Sequence, residues 1–385
     1  REITGAPLLP EVDGGLDGQR ARRLFLGFPF GSGGVPSTTV TTWQLSLSVR
    51  WELDLWGRLR SLDQAALADQ QALLHDLAAA RLSLAGQVCR AYFTAVEARQ
   101  QLVLAERTVA AFAATLEDVR DRFRRGVRPA LDVHLAATNL ANAEASVAQR
   151  REALQRALRQ IDVLVGRYPS GLATAAPELP TTPATPPAGL PGELLQRRPD
   201  LLAAERRVAA AGGRVAAARA ALYPRLSLTA SGGTTSLDLE DLVDDDFRFW
   251  SFGGNLLAPL FRGGALRAEV RQRDAQRREA FAAYGDAVLR AFAEVEDVLA
   301  TDGELRQRRT ALARAADHAV RALELARERW QLGLTDFLAV ADGQRQAFQA
   351  QSALIAADRL RLENRIDLFL ALGGGYEPEP EGASP

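Results

Sequence analysis

Two stretches 207 residues apart read as versions of one another. RFRRGVRPALDV (Arg122–Val133) aligns without a gap on RWQLGLTDFLAV (Arg329–Val340). At the same offset Leu131 meets Leu338, Gly166 meets Gly373, Val88 meets Val295 and Glu97 meets Glu304. LLPEV (Leu8–Val12) resembles LYPRL (Leu222–Leu226), and Trp51–Arg60 resembles Leu256–Arg267 with a small insertion. A long internal repeat constrains architecture before any single element is assigned. Whatever the first copy folds into, the second must fold into as well.

The first copy opens with strands. WQLSLSVRWELDLW (Trp43–Trp56) places Trp43, Leu45, Leu47, Val49, Trp51, Leu53 and Leu55 on one face and Gln44, Ser46, Ser48, Arg50, Glu52 and Asp54 on the other. That is the alternation of a strand with one apolar and one polar face. Roughly 9–11 residues cross a bilayer as a tilted strand, and tryptophans at both ends suit two lipid–water interfaces. A long strand in a soluble sandwich fits this stretch equally well. Leu8–Gly18 predicts a weaker strand. The apolar patch Leu24, Phe25, Leu26 and Phe28, followed by GSGG, predicts a strand end and a loop within 20–36. In the second copy, Tyr223–Gly232 alternates again and Phe247–Phe261 is strand-like.

Helices follow the strands. From Gly57 to about Arg125, Gly and Pro almost vanish and Ala, Leu, Arg and Gln dominate, all good helix formers. Leu74, Leu77, Leu84, Val88, Tyr92 and Val96 form a stripe of coiled-coil character. Unbroken, such a helix is a rod of roughly 100 Å. Gly126–Pro129 breaks it, and a second helix is predicted over about 130–165. Gly263–Arg329 and Thr335–Leu372 repeat the pair around Gly333, and the glycines at 373–375 stop the last helix. A helix over about 200–221, with Asp200 as a plausible N-cap, precedes the second copy. Its counterpart before the first copy would lie upstream of Arg1. With neither a Met nor a signal peptide at the start, the chain is expected to lack its natural N-terminus. The domain reading is a first strand–strand–helix–helix copy over 1–165, lacking its leading helix. A linker with seven prolines follows over 166–192, then a second copy over 193–375 and a disordered acidic tail over 376–385.

Composition excludes several classes. The net charge of −1 gives no reason to expect a nucleic-acid partner. A single Cys rules out an intrachain disulfide; Cys89 borders the Val88 stripe and reads as a small packed residue. No run of 18 apolar residues predicts a membrane-spanning helix, which says nothing of a β-barrel. His75, His134 and His318 lack metal-ligand spacing and read as surface or interface residues. No phosphate loop, Ser-His-Asp context or CxxC is present, so neither an enzyme nor a cofactor is expected. Asp238, Glu240, Asp241, Asp244, Asp245 and Asp246 crowd nine residues. They read as a solvated loop, with divalent-cation binding the sharper alternative. Four amphipathic strands cannot close a barrel of useful bore, and an open sheet in lipid leaves backbone groups unpaired. Three copies supply twelve strands, so homotrimerisation is the geometric expectation.

These residues resemble the outer-membrane factors, the trimeric TolC-like channels of efflux systems, and within them the NodT/OprM-like lipoprotein branch. The resemblance rests on WELDLWGRLR (Trp51–Arg60), LLQRRPDLLAAE (Leu194–Glu205), YPRLSLTASG (Tyr223–Gly232), APLFRGGALRAEV (Ala258–Val270), the two G-x-x-x-x-L motifs and ALGGGY (Ala371–Tyr376), in order over about residues 5–376. It implies a membrane α+β fold: a 12-strand transmembrane β-barrel, four strands per chain, continued by a long periplasmic α-helical barrel. It implies a passive exit duct in the outer membrane for drugs or other small toxic compounds, working with a periplasmic adaptor and an inner-membrane pump of the RND type. It also implies an iris-like periplasmic gate. Counted from the second glycine motif, the constriction falls on Leu338 and Asp342, one turn apart on one helix face. A leucine ring plugs, and an aspartate ring selects cations. Read without the resemblance, Leu338 fits packing core and Asp342 a solvated charge. Where this branch often carries a basic latch residue two positions before the glycine, Gln331 stands here, leaving Arg329 and Arg345 as candidates. In the trimer the lipid-facing residues are Trp43, Leu45, Leu47, Val49 and Trp51, with Leu53–Trp56 the hinge into helix. A soluble coiled-coil scaffold and a secretion duct for proteins are the competing functions. The strands speak against the first and LLQRRPDLLAAE against the second.

Overall fold

The structure, a computed structural model, describes residues 2–24, 37–185 and 191–374. The expected loop around Phe25, Leu26 and Phe28 and the tail over 376–385 lie outside the described residues. A short helix α1 (Glu2–Gly5) precedes strands β1 (Glu11–Leu24) and β2 (Ser37–Leu53). Helices α2 (Arg58–Arg124) and α3 (Ala130–Leu164) follow, then α4 (Pro191–Arg197) and α5 (Pro199–Ala220). Strands β3 (Arg225–Ser236) and β4 (Arg248–Leu257) lead into helices α6 (Ala265–Gln331) and α7 (Phe337–Ala371). The two strand pairs are each followed by helices of 67 and 35 residues, the same lengths both times.

Boundaries differ from the sequence expectation where local signals conflict. β1 runs through Gly14, Gly15, Gly18 and three arginines, residues that depress any strand reading. β3 continues past Gly232 to Ser236, because Gly233 to Ser236 pair with Ser46 to Trp43. Helix α4 was not expected, its PGELLQR opening on turn residues. α5 starts at Pro199, so Asp200 lies within the first turn rather than at the N-cap. Cys89 is exposed, not packed.

The chain divides into two compact units, each drawing on both halves of the sequence: residues 1–75 with 203–286, and 76–202 with 287–385. The first holds the sheet, ordered β1-β2-β3-β4 and antiparallel throughout. Beside it α5 packs closely on the start of α2. A Cβ on Gly213 would meet the Ser61 carbonyl oxygen at 2.9 Å and the Ala65 side chain at 3.0 Å, and Arg214 pairs with Asp69. The buried helix residues here are mostly Ala, which lets backbones approach: Ala65, Ala68, Ala72, Ala210, Ala211 and Ala217.

The second unit has three small cores. One joins Leu116, Val119 and Ala136 to Trp330, Phe337 and Val340. Another joins Ala95, Val96, Ala157 and Leu158 to Ala175. The third joins Leu194 and Val295 to Leu368, Ala371 and Leu372. Ala175 belongs to the proline-rich stretch, which is therefore held down: Arg99 donates to its carbonyl oxygen (2.5 Å), and Gly171 N–H donates to the buried Asp162 carboxylate (2.9 Å). No helix among the described residues is long and apolar enough to cross a membrane.

Candidate functional site: an amphipathic sheet and a helical hairpin end

Strand register carries the alternation of one strand across the sheet around Leu45–Leu53, while Arg20, Arg22, Thr39, Thr41 and Arg248 lie on the same face toward its other end. Directly paired residues share a face. Val49 pairs with Val12 and Ala230, Leu45 with Leu16, Trp51 with Leu228, and Leu53 with Leu226. β4 adds Trp250, Phe252 and Leu256 to the same face. The opposite face carries Asp13, Asp17, Gln44, Ser46, Ser48, Arg50, Thr229, Ser231, Ser251 and Asn255, with Ala21, Val40, Phe249 and Leu257 as its apolar exceptions. Contacts across it are polar: Ser231 and Ser251 share a hydrogen bond of 2.8 Å, and Arg50 approaches Glu11 at 3.9 Å.

Among the described residues little covers the apolar face. Val12, Leu16, Leu45, Leu47, Phe252 and Leu256 are exposed, and Trp250 is 84% exposed. A contiguous apolar face of this extent is the mark of a surface that meets lipid or protein. The tryptophans are anchored by their polar ends. Trp51 Nε1 donates to the Leu8 carbonyl (3.0 Å), and Trp56 Nε1 donates to that of Pro224 (2.8 Å). Trp56 also stacks on Tyr223, ring centroids 4.8 Å apart. An amphipathic ring with a bonded N–H suits an interface between apolar and wet surroundings.

At the strand-to-helix corner, Asp54 accepts from the backbone N–H groups of Leu59 (3.0 Å) and Arg60 (2.9 Å), capping α2. Burial would raise its pKa, but these N–H donors and Arg60 outweigh it and hold the carboxyl below its ordinary value. Arg58 grips Glu52 with two nitrogens.

The second region is the paired end of the four long helices. α2 and α6 both stop at a glycine of left-handed φ, +74° at Gly126 and +75° at Gly333. The bonds beyond them are the same two of a Schellman motif. Gly126 and Val127 N–H groups reach the Phe123 and Arg122 carbonyls, and those of Gly333 and Leu334 reach Trp330 and Arg329. Arg122 lies over the Trp330 ring, 4.1 Å from its centroid, and also donates to the Trp330 carbonyl oxygen. Arg128 donates to the Thr335 carbonyl oxygen and approaches Asp336 at 3.9 Å. Trp330 and Phe337 are buried with ring centroids 6.0 Å apart.

Leu338, the second residue of α7, is 67% exposed, and one turn further on Asp342 is half-buried. Asp342 is not a free carboxylate: it pairs with Arg345 and accepts from Gln346 Nε2 at 2.6 Å. Both residues line a recess of about 840 Å³ with Phe112, Leu135, Asn139 and Phe348. Of the two latch candidates, Arg345 thus lies at Asp342, while Arg329 is exposed. Trp330 was missed on sequence because an aromatic inside a helix carries no mark of which neighbour it meets.

The motif LLQRRPDLLAAE acquires a physical role. Arg198, 8% exposed, donates to Asp200 (2.8 Å), to Glu294 (2.7 Å) and to the Ala371 carbonyl oxygen (3.2 Å), so one side chain ties the start of α5 to α6 and α7. Its burial would lower its pKa, but Asp200 and Glu294 raise it above the ordinary value. The acidic loop 238–246 is ordered internally. Asp241 accepts from Ser236, Asp244 caps Asp246 N–H, and Asp245 pairs with Arg248. Among the described residues no group of side chains is arranged to hold a metal ion.

The family model for outer membrane efflux proteins matches residues 1–167 and 190–374. The chain belongs to the outer membrane efflux protein family. It is 35% identical to outer membrane protein OprJ of Pseudomonas aeruginosa, over 90% of this chain and 73% of that one. It is 32% identical to the solvent efflux pump outer membrane protein SrpC of Pseudomonas putida, over 97% and 79%. A crystal structure of a membrane protein from Pseudomonas aeruginosa superposes with a TM-score of 0.90 at 33% identity, covering 100% of this chain and 86% of that one. Members of this efflux family are outer-membrane channel proteins that extend into the periplasm, and this chain is located accordingly.

Proposed function

We propose that three copies of this chain form the exit duct of a tripartite efflux system. β1 to β4 of each copy contribute to a 12-strand barrel, and the long helices to a periplasmic tube that continues it. The duplicated copies over 1–165 and 193–375 make each chain two staves of that tube. The observation that carries this reading is the register-sorted sheet. Among the described residues one face is largely apolar and uncovered, the other polar, and β1 and β4 are paired on one side only. A closed barrel turns the first face, with Trp43, Leu45, Leu47, Val49 and Trp51, to lipid and the second to water. It also pairs the two edges.

In this reading Leu338 and Asp342 close the periplasmic end, and transport is passive. A periplasmic adaptor and an RND-type inner-membrane pump supply substrate and energy. Drugs and other small toxic compounds are the cargo, as the solvent-efflux name of SrpC suggests. Exposed Val127, Leu131, Leu332 and Leu334 at the hairpin ends offer the adaptor an apolar landing. Because Arg345 pairs with Asp342, the ring is a partly neutralised one.

Full-length protein in planar bilayers tests this. The expected result is a trimer of low resting conductance. Asp342→Ala raises conductance or weakens cation selectivity, and Arg345→Ala strengthens it. A channel unchanged by Asp342→Ala removes the gate assignment. A water-soluble monomer in detergent-free buffer ends the duct reading altogether.

A further inference from the structure

Arg365 of α7 is 4% exposed, set against α6 and the stretch that ends at Thr185. Its Nη2 donates to Thr185 Oγ1 (3.0 Å) and to Asp302 Oδ1 (3.4 Å). Arg306 Nη2 donates to the same Thr185 oxygen (3.1 Å) and pairs with Asp302. The Thr185 hydroxyl in turn donates to Asp302 Oδ2 (3.5 Å). One hydroxyl and one carboxylate are therefore shared between two guanidinium groups.

That leaves donors over. Arg365 Nε and Nη1 and Arg361 Nε are buried without a hydrogen-bond partner among the described residues. Arg361 stands one turn before Arg365 on the same helix face. Two guanidinium groups share the Asp302 carboxylate, Arg361 adds a third positive charge close to Arg365, and a buried arginine cannot shed its proton to escape. Burial, with Arg306 and Arg361 nearby, holds the Arg365 pKa below its ordinary value, and Asp302 offsets this only in part. Buried charge of one sign with open N–H groups is costly unless an acceptor of opposite charge completes it.

We propose that Arg306, Arg361 and Arg365 form a binding site for a small tetrahedral oxyanion of the phosphate or sulfate class. Several acceptor oxygens on one ion match open N–H groups from more than one arginine. The Arg306 side chain is more than half exposed, which gives the ion a route from solvent. Bound there, the anion pins the Thr185 stretch to α6 and α7. This site is independent of the duct reading.

Calorimetric titration tests it, using the purified full-length protein in detergent and an anion-poor buffer with gluconate as counter-ion. Inorganic phosphate and sulfate are titrated separately, with chloride at matched ionic strength. Saturable binding of one phosphate or sulfate per chain is expected. Arg361→Gln, which leaves the Thr185 and Asp302 contacts in place, weakens it by about tenfold or more. Arg365→Gln abolishes it. Phosphate also slows hydrogen exchange over residues 181–185 in the wild type but not in Arg361→Gln. No saturable heat with either oxyanion, wild-type affinity in Arg361→Gln, or chloride saturating the site equally well overturns the proposal.

Discussion

The two helical hairpin ends share a backbone and little else. Gly126 and Gly333 have the same φ within a degree and are followed by the same two hydrogen bonds. Yet Phe123, the counterpart of Trp330, is exposed, while Trp330 is 3% exposed within a core. Ala130 stands where the second hairpin has the buried Phe337, and Leu135 where it has Asp342. Leu131 and Leu338 remain alike, both about two-thirds exposed. Duplication preserved the turn, where only a left-handed glycine closes the helix cheaply. Divergence went into side chains one helical turn away, where substitution leaves the backbone alone. The second hairpin is thus the anchored one, and it carries both residues of the proposed gate.

The contrast breaks most sharply at the aromatic pair. Trp330→Ala should destabilise the second hairpin by about 3–5 kcal/mol, read as faster hydrogen exchange around residues 325–345. Phe123→Ala, its counterpart, should cost under about 1 kcal/mol. Equal effects would mean that the two hairpins are anchored alike. The glycines should behave oppositely: Gly126→Ala and Gly333→Ala should each cost about 1–2 kcal/mol, and a large inequality in their thermal midpoints would show that the turns differ. Arg122→Gln removes a cation over the Trp330 ring and should cost about 1 kcal/mol, whereas Arg329→Gln, its counterpart, should be close to neutral.

The smallest effect contrasts the starts of the same long helices. Asp54 caps α2, but Pro259 and Leu260 occupy the corresponding stretch before α6. Since the folded-state pKa of Asp54 lies below its unfolded value, its contribution is complete above the unfolded pKa. It is lost as pH falls through the lower, folded value. The start of α2 should therefore loosen by about 1 kcal/mol in acid, as Asp54→Ala does at neutral pH. Amide exchange at Leu59 and Arg60 should show it, with no comparable step at the start of α6.

What was legible in the sequence follows the same division. Helices α2, α3, α6 and α7 were readable because their composition is uniform and their stops are glycines. β2 was readable because its alternation is unbroken. β1 was faint because glycines and arginines interrupt it. Its apolar Val12 and Leu16 gain meaning only from pairing with Val49 and Leu45, and register is not a property of one segment. The proximity of Arg345 to Asp342 was available from their spacing on one helix. The proximity of Arg122 to Trp330, or of Thr185 to Arg365, was not, since only folding brings such distant positions together.

β1 and β4 each have one neighbour within the chain. Alternate residues of the 14-residue β1 and of the 10-residue β4 therefore point N–H and C=O groups outward, with no strand among the described residues to receive them. If the proposed barrel closes across copies, a lone copy is an adhesive species whose last hydrogen bonds form only by collision between chains. In that reading the closing step of folding has an order in protein concentration above one, and a melting temperature carries a dependence on dilution.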